Sequence, residues 1–125
     1  MKKLTPILFV DAIEPCLPFW TERLGFTKTV EVPHEGKIGF VILARDGLEL
    51  MYQTWDSAAA DVAGAATKTK GCSAALYFEV ENLDQIEQAV LGAEVVHPRR
   101  KAFYGATEIF VREPGGHVIG FAQVP

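Results

Sequence analysis

Short apolar runs, each about the length of a strand, alternate along the chain with clusters of turn residues. Leu4–Asp11 is a run of β-formers with Pro6 near its start, which suits an edge or first strand. The period then changes. In residues 14–26 (EPCLPFWTERLGF), Leu17, Trp20 and Leu24 recur at i, i+3 and i+7, which predicts a helix with one apolar face. Pro15 and Pro18 fit a first turn, where amides have no intrahelical acceptor, and Gly25 marks the stop. Thr27–Val32 alternates and predicts a strand. Pro33-His34-Glu35-Gly36 is a turn, Ile38–Ala44 a dense apolar strand, Arg45-Asp46-Gly47 a hairpin turn, and Leu48–Gln53 the returning strand. The first half therefore reads β-α-β-β-β.

Residues 55–71 are rich in Ala, Ser, Thr, Gly and Lys. A short helix over Ser57–Ala63, capped by Asp56 or Ser57, fits there, but the segment reads chiefly as a mobile linker. Ser73–Val80 is again a strand. Asn82 caps a helix over Leu83–Leu91 with Leu83, Ile86 and Val90 as its buried stripe, and Gly92 ends it. Ala93–His97 is a short strand stopped by Pro98. Thr107–Arg112 and Val118–Gln123 form a hairpin across Glu113-Pro114-Gly115-Gly116, where Pro presets one angle and the glycines admit positive φ. This is a second β-α-β-β-β.

The halves align. Phe9-Val10-Asp11-Ala12-Ile13 matches Glu79-Val80-Glu81-Asn82-Leu83, Leu24-Gly25-Phe26 matches Leu91-Gly92-Ala93, and Asp46-Gly47 matches Gly115-Gly116. An internal duplication organises the chain: one domain over 1–125, with repeat one at 1–54, a linker at 55–71 and repeat two at 72–125.

Composition narrows the class. The 125 residues suffice for one domain with its own core, and 49% hydrophobic with 22% charged residues exclude a disordered chain. No apolar run reaches membrane-spanning length, and the N-terminal run is too short for a signal peptide, so a cytoplasmic protein is expected. The net charge of −4, from 12 basic and 16 acidic residues, argues against a nucleic-acid partner. The basic cluster Arg99-Arg100-Lys101, offset by Glu94 and Glu108, reads as a solvated loop. Cys16 and Cys72 have no metal or redox spacing and read as small buried thiols.

A paired βαβββ unit that closes with Tyr-Gly, a strand, Arg-Glu-Pro-Gly-Gly-His and a last strand resembles the vicinal oxygen chelate superfamily. That group includes glyoxalase I, extradiol dioxygenases, fosfomycin-resistance enzymes and bleomycin-resistance proteins. Phe19-Trp20-Thr21-Glu22-Arg23-Leu24-Gly25-Phe26 resembles the family's Phe-Tyr-x-x-x-Leu-Gly-Phe, and Glu113-Pro114-Gly115-Gly116-His117 its Asp-Pro-x-Gly-Asn. The resemblance implies an α+β fold: two βαβββ repeats forming a curved mixed sheet, an incomplete barrel around a ligand cavity, in a homodimer. Metal-dependent members carry one His or carboxylate ligand on each of four strands. Those positions fall on or beside Thr5, on Glu49, near Ala75 with Ser73 and Tyr77 on the same face, and near Gly120. Only Glu49 can ligate, whereas a catalytic divalent ion needs about three such ligands. His34, His97 and His117 sit at turns and strand ends. No metal and no cofactor is expected.

The two-residue period places Thr5, Ile7 and Phe9 on one face, Glu49, Met51 and Gln53 on another, and Ala75, Tyr77 and Glu79 on a third. Candidate ligand-binding residues are Phe9, Glu49, Met51, Trp55, Tyr77 and Tyr104. Phe9, Met51 and Tyr77 would line an apolar site, with core packing as the competing reading. Glu49 would be a polar group within it, Tyr104 stands where the family has an aromatic at the pocket mouth, and Trp55 would close over a ligand from the linker. No Ser-His-Asp, Cys-His or phosphate-loop pattern is present. The leading expectation is a metal-independent protein sequestering a small, partly apolar ligand in a pocket at a dimer interface. The alternative is a metal-dependent glyoxalase-type lyase or extradiol-type dioxygenase using Glu49 as ligand or base. A ligand-sensing module with a protein partner is a third. The ligand itself is not legible.

Overall fold

The computed structural model describes residues 1–64, 66, 68 and 74–125; Cys72 and Ser73 lie outside them. The chain divides into two units, Met1–Thr69 and Lys70–Pro125. Each is a four-stranded mixed sheet with little helix, so the fold is α+β and built from two βαβββ repeats.

The first unit contains β1 (Ile7–Val10), β2 (Thr27–His34), β3 (Lys37–Arg45) and β4 (Leu48–Thr54), in the order β1-β4-β3-β2. β1 runs parallel to β4 and the other pairs are antiparallel. Both hairpin turns place two successive residues at positive φ: Glu35 and Gly36 at 50° and 77°, Asp46 and Gly47 at 52° and 78°. That double left-handed turn matches the twist of the flanking strands. Strand alternation is clean along β3 and β4: Val41, Leu43, Leu50, Tyr52 and Thr54 are buried, while Phe40, Ile42, Glu49, Met51 and Gln53 on the other face are half-buried.

The helical segment differs from its expected form. It is a 3₁₀ turn over Glu14–Cys16 followed by a wide π-type turn over Phe19–Arg23. Thr21 Oγ1 donates to the Leu17 carbonyl at 3.0 Å, and the Phe26 amide reaches back six residues to the Trp20 carbonyl at 2.9 Å. The extra residue per turn rotates the apolar face. Cys16, Phe19, Trp20 and Leu24 are buried, whereas Leu17 is only half-buried. Trp20 is fully enclosed, edge-on to Phe19 and Phe26, and its Nε1 donates to the Tyr52 hydroxyl at 2.8 Å. Truncating a tryptophan in such a position typically costs about 3–5 kcal/mol.

Trp55, Asp56 and Ser57 are helical. They open a helix, α1 (Trp55–Asp61), two residues earlier than the sequence suggests. Its cap is Thr54, the last residue of β4, whose Oγ1 accepts the Ser57 amide at 3.1 Å.

The second unit contains β5 (Ala75–Glu79), α2 (Leu83–Ala89), β6 (Glu94–Lys101), β7 (Thr107–Arg112) and β8 (Val118–Gln123), in the order β5-β8-β7-β6. Asn82 caps α2, its Oδ1 accepting the Gln85 amide at 3.1 Å. β6 runs through Pro98 to Lys101. It is an edge strand with register shifts around His97 and Arg100, so Pro98 interrupts no essential ladder bond. Arg99-Arg100-Lys101 therefore lies on a strand and not in a loop.

Strand register bears on the duplication. Phe9 pairs with Gln53 and its counterpart Glu79 with Ala122. It follows that Ile7–Met51 corresponds to Tyr77–Gly120, Ile42 to Phe110, and Phe40 to Glu108.

Candidate functional site

On β7, Ile109 and Val111 are buried on the side of the sheet that faces α2. Glu108 and Phe110 point to the other side, beside Gly120 and Ala122 of β8, Tyr77 of β5 and Arg100 of β6. Glu108 has no exposed surface, although a lone buried carboxylate is strongly disfavoured. Its charge is met from three directions. Oε1 accepts Arg100 Nε at 2.9 Å and Arg100 Nη2 at 2.6 Å. Oε2 accepts the Tyr77 hydroxyl and the Tyr104 hydroxyl, each at 2.5 Å. Tyr104 is held by a tight turn, in which Ala102 N–H donates to the Ala106 carbonyl at 2.8 Å and Gly105 N–H to the Ala102 carbonyl at 2.9 Å.

The electrostatics follow from these bonds. Desolvation pushes the Glu108 carboxyl upward, but donation from Tyr104, Tyr77 and Arg100 outweighs it, and the group titrates below its ordinary range. The Tyr77 phenol is driven far above its usual value, chiefly by donating to Glu108 and then by its contact with Tyr104. Arg100 is raised by its bond to Glu108 and stays charged. The cluster is an ion pair with two neutral phenols attached.

Gly120 sits beneath this cluster. A Cβ built there would lie 2.6 Å from Phe110 Cε1 and 3.0 Å from Tyr77 Cδ1. The two rings close over the glycine, so a side chain at this position would have to displace them.

The sequence-derived candidates fall into two groups. Tyr77 and Tyr104 meet at Glu108. Phe9, Glu49, Met51 and Trp55 belong to the first unit. Phe9 stacks on Trp55 with centroids 5.1 Å apart, Met51 lies between Ile7 and Ile42 in register, and Glu49 pairs with Lys3 Nζ at 2.9 Å. Glu108 and Arg100 are not among those candidates. Glu108 was legible only as a counter-charge to the basic cluster; the stronger signal is a carboxylate inside the otherwise apolar stretch of β7. His117 is half-buried. Its Nδ1 lies 2.7 Å from Oε1 of buried Glu113, which also accepts the His117 amide at 2.6 Å, while Glu113 Oε2 accepts the Gly115 amide at 2.8 Å. This pair fastens the β7–β8 turn. A cleft of about 170 Å³ lies on the α2 side of the sheet, lined by Val90, Val95, Ile109 and Val111 among others, and none of the candidate residues reaches it.

Among the described residues no group of three or more His, Cys, Asp or Glu side chains is placed to hold a metal ion. No helix among them is long and apolar enough to cross a membrane.

The chain belongs to the Glyoxalase/Bleomycin resistance protein/Dioxygenase superfamily, whose family model matches residues 3–121. Solved structures share the fold at low identity. A glyoxalase/bleomycin resistance protein/dioxygenase family enzyme from Burkholderia phytofirmans PsJN matches with a TM-score of 0.80 and 16% identity, covering 97% of each chain. A protein of unknown function from Agrobacterium tumefaciens str. C58 matches at 0.77 and 22%, covering 100% of this chain and 95% of that one. Lactoylglutathione lyase from Agrobacterium tumefaciens matches at 0.71 and 13%, covering 98% and 94%. No curated protein sequence matches the chain. At these identities the likeness carries the fold and not the chemistry.

Proposed function

We propose that this protein binds a small, partly apolar molecule without a metal ion. The observation that carries the reading is the occupancy of Glu108: all four of its hydrogen bonds come from protein donors, so its oxygens are committed to the fold. The crowding over Gly120 and the Lys3 pairing of Glu49 support it. In this reading Phe9, Met51 and Trp55 supply apolar contact and Glu49 a polar one on the first unit, and Tyr77 and Tyr104 supply an aromatic, hydrogen-bonding surface on the second. A second copy of the chain completes the pocket, and the protein works in the cytoplasm.

Native mass spectrometry before and after dialysis against EDTA tests this. The expected result is a dimer that retains any copurified organic ligand and carries no stoichiometric metal. A tightly held divalent ion, together with metal-dependent lyase or ring-cleaving turnover, would sink the proposal and return Glu49 to the mechanism as ligand or base.

A further inference from the structure

An ionised carboxylate only accepts hydrogen bonds. The bonds around Glu108 therefore fix where each proton lies. The single hydrogen of Tyr77 and the single hydrogen of Tyr104 both point at Oε2. The two phenol oxygens are left to show lone pairs outward. They lie 3.5 Å apart, at the far limit for bonding each other but spaced for one donor group to span. Both side chains are open to a ligand, with Tyr77 52% and Tyr104 54% exposed. Aromatic surface flanks them: exposed Phe103 meets Tyr104 edge-on at 5.1 Å, and Phe110 tilts against Tyr77 at 6.2 Å.

Charge points the same way. The Arg100 guanidinium is neutralised by two bonds to Glu108, and Arg112, on the same face, is paired with Glu94 at 2.9 Å. Glu79 lies two residues from Tyr77 on the same face of β5 and is exposed. An anionic ligand approaching the phenols would meet oxygen lone pairs and the Glu79 carboxylate.

We propose that Tyr77 and Tyr104 form an acceptor pair for an amine or ammonium group carried on a flat, apolar molecule. This rests on the metal-free binding reading and specifies the polar end of the ligand. Exposed Phe103, edge-on to Tyr104, offers apolar contact to the body of the same molecule. The raised titration of the Tyr77 phenol supports the assignment, because the proton that orients its oxygen stays in place at neutral pH.

The test is calorimetric titration in EDTA with tryptamine and 2-phenylethylamine, set against indole-3-acetate and phenylacetate, which replace the amine by a carboxylate. The wild type should bind the amines at least about tenfold more tightly than the acids, and Tyr77→Phe or Tyr104→Phe should each weaken amine binding about fivefold, the scale of one hydrogen bond. In the wild type alone, ring-carbon NMR signals of Tyr77 and Tyr104 should move on adding amine and stay still on adding acid. That readout holds even if a variant misfolds. Equal binding of amines and acids, no amine binding at millimolar concentration, or ring signals that do not respond would overturn the inference. Metal-free binding of an apolar ligand that ignores both Phe substitutions would overturn it while leaving the broader reading intact. Copurification of ligand only together with metal would remove that reading itself.

Discussion

Replacing Glu108 with Gln exchanges one carboxylate oxygen for an NH₂ group at nearly constant volume. The amide has one workable orientation. Its oxygen must stay towards Arg100, since the reverse sets an NH₂ group against the guanidinium, donor against donor. The NH₂ group then faces the two phenols, which must turn their hydrogens to water, as their half-exposure permits. Two charge-assisted bonds from the phenols are lost, and the two from Arg100 weaken because only the guanidinium is still charged. Each change is worth about 1 kcal/mol, for a gross loss of about 4 kcal/mol. The amide recovers about 2–3 kcal/mol of that because burying it costs less than burying a carboxylate. The expected net destabilisation at pH 7 is about 1–2 kcal/mol, or about 4–8 °C in melting temperature. The pH dependence adds a second, sharper signature. The folded carboxyl titrates below the ordinary value of 4.5. A lowered folded value gives stability that is complete above the unfolded pKa and is lost as pH falls through the folded one. The amide that replaces the carboxylate would not titrate. Urea midpoints of wild type and E108Q should thus differ by a constant amount from pH 8 to pH 6, and the gap should close below about pH 4.5. A gap that persists unchanged to pH 3, or no gap at pH 7, refutes the picture of Glu108 as an ionised hub.

Gly120→Ala should cost about 1 kcal/mol, because displacing the Phe110 and Tyr77 rings outweighs the entropic gain of losing a strand glycine; Phe110→Leu in the same chain should restore part of it in thermal melts. Thr54→Ala removes the cap of α1 and Asn82→Ala that of α2, and each should lower stability by about 1 kcal/mol in urea titrations. The two caps share no hydrogen-bond partner, so the double variant should lose the sum to within about 0.5 kcal/mol. Dialysis against EDTA should leave the melting temperature unchanged, whereas a fall of several degrees would reveal a bound ion that stabilises the fold.

Much of the architecture was legible because local rules and tertiary structure agree. β7 and β8 begin and end at the residues the alternation and the Glu113–Gly116 turn mark out. Where they part, a physical reason is visible. Pro98 ends a central strand but not an edge strand with a bulge, so β6 continues to Lys101. A regular helical period puts Leu17 inward, but the 3₁₀ turn at Glu14–Cys16 and the wide turn at Phe19–Arg23 leave it half-buried and bury Phe19 beside Trp20. The small-residue composition of residues 55–71 hides that β4 runs directly into α1 through Thr54. The hub at Glu108 was the least legible feature. Its partners come from β5, β6 and a turn, 31, 8 and 4 positions away, and no spacing rule joins them. Tyr77 and Tyr104 stood out as aromatics; the carboxylate that orients them did not.

The two repeats put one strand register to different uses. At matched positions the first unit carries Ile7, Phe40, Ile42 and Met51, and the second carries Tyr77, Glu108, Phe110 and Gly120. The first set is an apolar sheet face, whereas the second is a polar hub under aromatic rings. Glu108 and Gly120 depend on each other. The Tyr77 ring must pass over position 120 for its hydroxyl to reach Oε2, and a Cβ at 120 would already crowd that ring at 3.0 Å. A larger residue would push Tyr77 off Glu108 and leave the buried carboxylate with one donor fewer. Gly120 is therefore a packing requirement of the hub. It is the opening through which the tyrosine reaches the carboxylate. Placing Glu at 120 would do more than fill that opening. It would set a second carboxylate beside Glu108 and break the hub that neutralises the first.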